Sequence, residues 1–366
     1  MTLRRCKQCG LPRKLASDFI WPGDGTIYAG HDPNMRMLFI EADYLSNLWY
    51  ELETALDLPV ADAVLKSQHM AVRYYQEENV LLGWRRYALR HLPVRLLSRS
   101  ISKEVAIYGI GVFEFVEYRR GKMVVIRVRR PYDIVSLAGG VRGISESIEG
   151  KGSEVAWTRE NGVYIITVVF KPVSPGDQMV ELERMIEEDE EKVTSKASSG
   201  HLSIGHGAGE RCPSCGLPLN LNDLRWRDWE GTIVHRRQES RYVFFSGYIL
   251  QKIIVELGRR TGRDLGPLVM DISKDFVRQH VRHMPIGDMD AVYQEFSRNI
   301  SMSGFGEVVS MNRGESHLEM VIQNPFLPPL LAGSVTGIFE HVEGELAAVD
   351  FHTPSSKLLE LRIRTT

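Results

Sequence analysis

The chain has 366 residues, 43% of them hydrophobic and 25% charged, with a net charge of −2. That length accommodates two domains with cores of their own, and the near-neutral balance supplies no global field to recruit a polyanion. No apolar run approaches the roughly 20 residues that cross a bilayer, and the first ten, MTLRRCKQCG, lack the apolar centre of a secretion signal, so a cytoplasmic chain is expected.

The first pattern in chain order is CKQCGLP at 6–12, and it returns as CPSCGLP at 212–218. The two phrases hold every cysteine of the chain. In a reducing compartment such pairs point to metal before disulfide. Two thiolates separated by two residues bind one Zn²⁺ while a tight turn aims backbone N–H groups at the sulfurs, and glycine supplies the turn. A redox pair of thioredoxin type would follow a strand and open a helix, whereas here G-L-P and a hairpin signal follow. Tetrahedral zinc takes four ligands, and three sources of the second pair stand open. Each knuckle recruits histidines of its own half, although the nearest, His31 and His235, do not align. Each pairs with a knuckle of another chain. Or the two meet, and Cys6, Cys9, Cys212 and Cys215 form one site. The last is favoured because it uses all four thiols; with no open coordination position, that zinc is structural and clamps the two halves.

A short hairpin signal, GDGTIY (23–28), comes next, then an apolar strand running into helical spacing over 44–56 and 61–78. The stretch 84–103, WRRYALRHLPVRLLSRSISK, has six Lys/Arg and no acid. It suits nucleic acid, an anionic membrane surface or a ligand anion; the favoured reading is a solvated helix face beside acidic residues 182–192. Residues 112–118 and 122–130 alternate around Arg120-Gly121 as a β-hairpin, and the basic side chains of 119–130 read as its solvent face. A helix is predicted from Pro131 to Gly150, then a second hairpin over 153–170 turning at Asn161-Gly162. Residues 173–206 start acidic and helix-prone and end Ser/Gly/His-rich, which reads as a linker; His201 and His206 there are solvated chain rather than ligands.

The second half repeats this order. WEGTIV (229–234) answers GDGTIY, SRYVFFSGYILQKIIVELG (240–258) answers MRMLFIEADYLSNLWYELE (35–53), and MSGFGEVVSM (302–311) answers IYGIGVFEFVEY (107–118). QNPFLPPLLAGSVTGIFEHVEG (323–344) answers RRPYDIVSLAGGVRGISESIEG (129–150). The expectation is a tandem duplication, 1–172 and 207–366 around the linker 173–206, related by a pseudo-two-fold axis. Each copy is an α+β unit, an antiparallel sheet with helices on one face.

The latter part of each copy resembles the 4-vinyl reductase domain, also described as hydrocarbon-binding, a fold related to TRAPP transport subunits and haem-NO-binding domains. The matching residues are Gly109-Ile110-Gly111 and Gly304-Phe305-Gly306, the helix starts Arg130-Pro131-Tyr132 and Asn324-Pro325-Phe326, and the glycine pairs Gly139/Gly143 and Gly333/Gly337. The resemblance implies a cup between helices and sheet for a small hydrophobic or aromatic molecule or a tetrapyrrole. Many members also carry cysteines for zinc at the last helix and strands; this chain has none there, so that site does not carry over. Aromatics placed to line a cup are Trp49, Tyr108, Phe113, Phe115 and Tyr132 in the first copy, and Phe276, Phe305, Phe326 and Phe339 in the second. Most aromatics at such spacings are plain core. The glycine pairs leave one helix face bare, either for a helix or for a ligand.

The chain has no H-E-x-x-H, P-loop, G-x-S-x-G or kinase set, nor a dinucleotide fingerprint. The leading expectation is therefore a binding protein for a small hydrophobic molecule, a sensor, carrier or accessory factor, and not by itself an enzyme. The alternatives are an enzyme or enzyme subunit acting on a tetrapyrrole or aromatic substrate, and a structural module for a protein partner.

Overall fold

The computed structural model describes residues 3–81, 94–171, 210–281 and 288–366. The linker 173–206 and residues 84–93 of the basic stretch 84–103 lie outside the described residues. In chain order the elements are α1 (Lys14–Asp18), β1 (Phe19–Ile20), β2 (Tyr28–Ala29), β3 (Asp32–Glu41), α2 (Ala42–Leu56), α3 (Val60–Tyr75), α4 (Val94–Ile107), β4 (Val112–Arg119), β5 (Met123–Arg129), α5 (Ile134–Glu149), β6 (Ser153–Glu160) and β7 (Val163–Phe170). After the second cysteine phrase come β8 (Leu224–Arg227), β9 (Thr232–His235), β10 (Arg241–Ser246), α6 (Gly247–Thr261), α7 (Gly266–His280), α8 (Met289–Met302), β11 (Glu307–Arg313), β12 (His317–Gln323), α9 (Pro328–Glu343), β13 (Ala347–Ser355) and β14 (Leu358–Thr365). The α+β class with antiparallel sheets is as expected. Among the described residues no helix is long and apolar enough to cross a membrane.

Local chemistry explains the element ends. The Asn161-Gly162 turn has both residues at positive φ, 49° and 77°, so the flanking β6 and β7 pair in register from Glu160↔Val163 to Ser153↔Phe170. Helix α5 starts at Ile134 rather than at Pro131. The Asp133 carboxylate accepts from the Ser136 N–H at 2.7 Å and caps the first turn, a stronger start signal than proline. Gly150, at φ 64°, ends that helix as expected.

The chain forms two compact units, each assembled from both halves of the sequence. The first holds the described parts of 61–198 together with Arg225–Val243, and the second holds Arg4–Val60, the described part of 199–224, and Phe244–Thr366. The first unit contains the sheet β4-β5-β7-β6 and the second the sheet β11-β12-β14-β13, the same antiparallel order. In both, the first strand pair carries a register shift, at Phe115/Glu117 and at Val308/Ser310.

Helices α3 and α5 lie against each other in the first unit, and α7 and α9 in the second. A Cβ on Gly139 would stand 2.6 Å from the Leu65 carbonyl oxygen, and one on Gly143 2.6 Å from that of His69. Cβ atoms on Gly333 and Gly337 would stand 2.0 and 2.4 Å from the carbonyl oxygens of Met270 and Lys274. The bare helix face therefore serves close helix packing, not a ligand.

The hairpin signals act across the halves of the sequence. In the second unit Gly25 (φ 74°) lies on Gly306, where an added Cβ would sit 2.1 Å from the carbonyl carbon. In the first unit Gly231 (φ 62°) lies on Gly111, at 2.1 Å from its carbonyl oxygen. Beside each contact one arginine gathers carbonyls. Arg36 donates to Gly304 O (2.7 Å) and Asn324 O (2.6 Å). Arg241 donates to Gly109 O and Arg130 O (2.8 Å each) and to Pro131 O (2.9 Å). Burial pushes the Arg36 guanidinium down to about 10, still charged at neutral pH. These carbonyls flank glycine corners and helix starts with no ladder partner, so the arginine satisfies what the sheet leaves open.

Replacing Gly25 or Gly231 by alanine is expected to lower unfolding free energy by about 3 kcal/mol, from positive-φ strain plus overpacking. Urea unfolding of each variant checks this; a loss under about 0.5 kcal/mol would mean that the hairpins do not make these contacts.

Candidate functional site

Two features of the structure bear on function: a cluster of four thiols in the second unit, and an apolar cavity in the first.

The two cysteine phrases fold into the same turn. The Cys6 N–H donates to Leu11 O (2.8 Å) and the Gly10 N–H to Cys6 O (3.0 Å); the Cys212 N–H donates to Leu217 O (2.9 Å) and the Gly216 N–H to Cys212 O (2.8 Å). Gly10 and Gly216 turn the chain at φ 76° and 75°. Leu11 and Leu217 are buried beneath the turns, as are Cys6 and Cys212, while Cys9 and Cys215 are half-buried. The sulfurs of Cys6 and Cys212 are 3.9 Å apart, those of Cys9 and Cys215 3.5 Å, and all four lie within 4.8 Å of one another. These separations exceed the roughly 2.05 Å of a disulfide. They match the ~3.8 Å between thiolates on a tetrahedral ion with ~2.3 Å bonds. The cluster can hold a metal ion, and among the described residues no histidine belongs to it.

The electrostatics of the four thiols are uneven. Backbone N–H groups of Cys9 and Gln8 point at the Cys6 sulfur and hold its thiol down to about 6. At Cys212 burial opposes ionisation, but N–H groups of Ser214 and Cys215 outweigh it and the thiol is lowered. Burial raises Cys9, and pushes Cys215 up to about 12. Backbone dipoles thus stabilise one thiolate in each knuckle, and further ionisation meets repulsion from those already formed. A divalent cation removes that repulsion.

In the first unit a cavity of about 50 Å³ lies between α4, α5 and the sheet. Its walls are Ile101, Phe113, Phe115, Val124, Ile126, Val141, Ile144, Ile148 and Phe170, and its polar groups are Tyr118, Ser145 and Glu149. The Tyr118 hydroxyl donates to the Glu149 carboxylate. Strand alternation turns Val124 and Ile126 to one face, and the helical repeat brings Val141, Ile144, Ser145 and Ile148 onto it.

Of the nine aromatics read from the sequence, Phe113 and Phe115 border this cavity. Tyr132 is buried just before α5, and Tyr108 is half-buried just after α4. In the second unit Trp49 is buried on α2. Phe276 meets Tyr44 edge-on at 5.0 Å and stacks on His280 at 3.7 Å. Phe305 and Phe326 lie edge to face at 6.1 Å, with the Arg36 guanidinium 5.5 Å over Phe326. Phe339 is fully buried in the core of that unit. The aliphatic walls, Tyr118 and Ser145 were not singled out in the sequence. The one available signal was the exchange of Ser145 for Phe339 between two otherwise similar helices.

A buried ion cluster fixes α5, the helix that carries half of the cavity wall. Glu146 has no exposed surface and accepts from His69 Nε2 (2.7 Å), Arg73 Nη1 (3.1 Å), Arg142 Nε (3.0 Å) and the Ser153 N–H (2.8 Å). Burial opposes its charge. Hydrogen bonding and charge from His69, with Arg142 and Ser153, outweigh that and hold the carboxyl down to about 2.

No family model and no curated protein matches this chain. Among solved structures the similarity is to H-NOX domains. One, from T. Tengcongensis, is 13% identical, covers 33% of this chain and 75% of its own, and has a TM-score of 0.26. Another, a Cs H-NOX with an unnatural 4-cyano-L-phenylalanine, is 12% identical over 35% of this chain and 77% of its own, with a TM-score of 0.27. A likeness of that extent spans a third of the chain and defines no activity.

The depressed Glu146 carboxyl makes a signed pH prediction. Its stabilisation is complete above the ordinary value of 4.5 and disappears as pH falls towards about 2. Glu146→Gln is expected to cost about 3 kcal/mol at pH 7 and to flatten the loss of stability across that acid window. Chemical denaturation at pH 7, 4.5 and 2.5 measures both; equal pH slopes for the two proteins would refute the clamp.

Proposed function

We propose that this chain is a binding protein for a small hydrophobic molecule, a sensor, carrier or accessory factor, with a structural zinc in its four-thiol cluster. The observation that carries the reading is the apolar cavity between helices and sheet in the first unit. Its walls are almost wholly hydrocarbon, with a few polar groups at one corner, which is the lining of a pocket for a small apolar molecule. The cysteine cluster supports zinc through its donor set: four sulfurs, tetrahedral separations and two turns that aim N–H groups at sulfur. With all positions taken by thiolates the ion is structural, tying residues near the start of the chain to residues past its middle.

The repeated phrases, the matching knuckle turns and the shared strand order support a tandem duplication of a 4-vinyl-reductase-like domain, with segments of each half completing the unit of the other. A chain of this kind works in the cytoplasm, where the thiols stay reduced.

Native mass spectrometry of protein purified from its own cells is expected to show a co-purifying small organic molecule, released on denaturation. Elemental analysis is expected to give one zinc per chain. Cys212→Ser is expected to lose the metal and lower the melting midpoint by about 10 °C, which is roughly 3 kcal/mol for units of this size. A wild-type protein free of transition metal under reducing conditions would overturn the zinc, and one that binds no small apolar molecule would overturn the function.

A further inference from the structure

The last helix of each half differs most in size at one position facing its sheet. Alignment of LAGGVRGISESIEG (137–150) with LAGSVTGIFEHVEG (331–344) sets Ser145 opposite Phe339. Phe339 is fully buried, in one continuous cluster with Leu318, Met320, Val335, Ile338 and Val342. The corresponding residues of the first unit, Val124, Ile126, Val141, Ile144 and Ile148, are the walls of the cavity. Where the second unit has a phenyl ring, the first has a hydroxymethyl group and open space.

We propose that the ligand binds in the first unit alone, that Ser145 is the residue that keeps the site open, and that the ligand is a compact uncharged molecule. It is no larger than one ring and apolar except for a single hydroxyl-type group. This rests on the ligand-binding reading above and adds which unit binds and what chemistry it selects. Three observations carry it. The space lies at the helix position where the second unit has a phenyl ring, and at about 50 Å³ it is far too small for a tetrapyrrole. A charged ligand would lose its hydration against hydrocarbon walls. Among the described residues the polar groups at the cavity are Tyr118, Ser145 and Glu149, which together offer one hydrogen-bonding corner. In the second unit the matching glutamate, Glu343, accepts from the Tyr293 hydroxyl (3.3 Å) and also from a guanidinium, Arg313 Nε at 3.0 Å. The second unit is thus filled by Phe339 and serves as packing.

The test uses the full-length protein and two probes, benzyl alcohol and toluene, by calorimetry and native mass spectrometry. One molecule per chain is expected, with benzyl alcohol about tenfold tighter, the value of one charge-assisted hydrogen bond. Ser145→Phe is expected to weaken both probes at least a hundredfold, while Ser145→Ala keeps toluene binding. Should Ser145→Phe fail to fold, Ser145→Leu tests the same filling with a smaller side chain. Methyl NMR of the wild type needs no variant: Ile126, Ile144 and Ile148 are expected to shift on adding benzyl alcohol, and Ile322 and Ile338 to stay. Two molecules per chain, unchanged binding by Ser145→Phe, toluene as tight as benzyl alcohol, or shifts at Ile338 would overturn this inference and leave the ligand-binding reading standing. A wild type that binds neither probe would overturn both.

Discussion

Four sulfurs within 4.8 Å set the terms for the rest of the chain. Thiolates at that distance repel in a partly buried site, and backbone N–H groups relieve only one sulfur in each knuckle. A divalent ion among them would turn that repulsion into attraction. Because the two knuckles come from different halves of the sequence, that contact would close a loop of about two hundred residues.

The contacts of Gly25 on Gly306 and of Gly231 on Gly111 show how each unit is completed. A corner of the Gly-x-Gly kind frees carbonyl groups that no strand covers, and a buried free carbonyl costs about what a lost hydrogen bond does. Arg36 and Arg241 answer that need with two and three acceptors each. Glycine opens the approach and arginine satisfies what the approach exposes. Neither device works alone: a side chain at Gly25 would displace the corner, and a shorter side chain at Arg36 would leave its carbonyls bare.

The two units share their strand order and differ in their interiors. In the second the space between α9 and its sheet is closed by Phe339 within a continuous core. In the first the same helix position is Ser145, and the walls around it remain apart. Glu146, one residue on, is tied to His69, Arg73, Arg142 and Ser153, which anchors α5 beside the gap. A cavity next to a rigid buried ion cluster persists, because close-packed interiors relax only where the surrounding elements can move.

Sequence alone determined the local pieces, because each is fixed by short-range chemistry. The paired C-x-x-C-G-L-P phrases marked the knuckles, Asn161-Gly162 marked its turn through positive φ, and the periodicity of 44–56 and 61–78 marked two helices. The start of α5 was misjudged by three residues because the capping carboxylate of Asp133 outranks the fixed φ of Pro131. What only the tertiary structure decided were choices between equally good local partners. A hairpin such as GDGTIY can pack on the corner of its own half or of the other, and its residues are the same in either case. The pairs Gly139/Gly143 and Gly333/Gly337 suit a helix or a ligand, and the approach of the α3 and α7 carbonyls settled it. Aromatic residues look alike in a list; which of them face open space depends on neighbours far away in the chain. Burial is a property of the whole packing arrangement, and no single residue type encodes it.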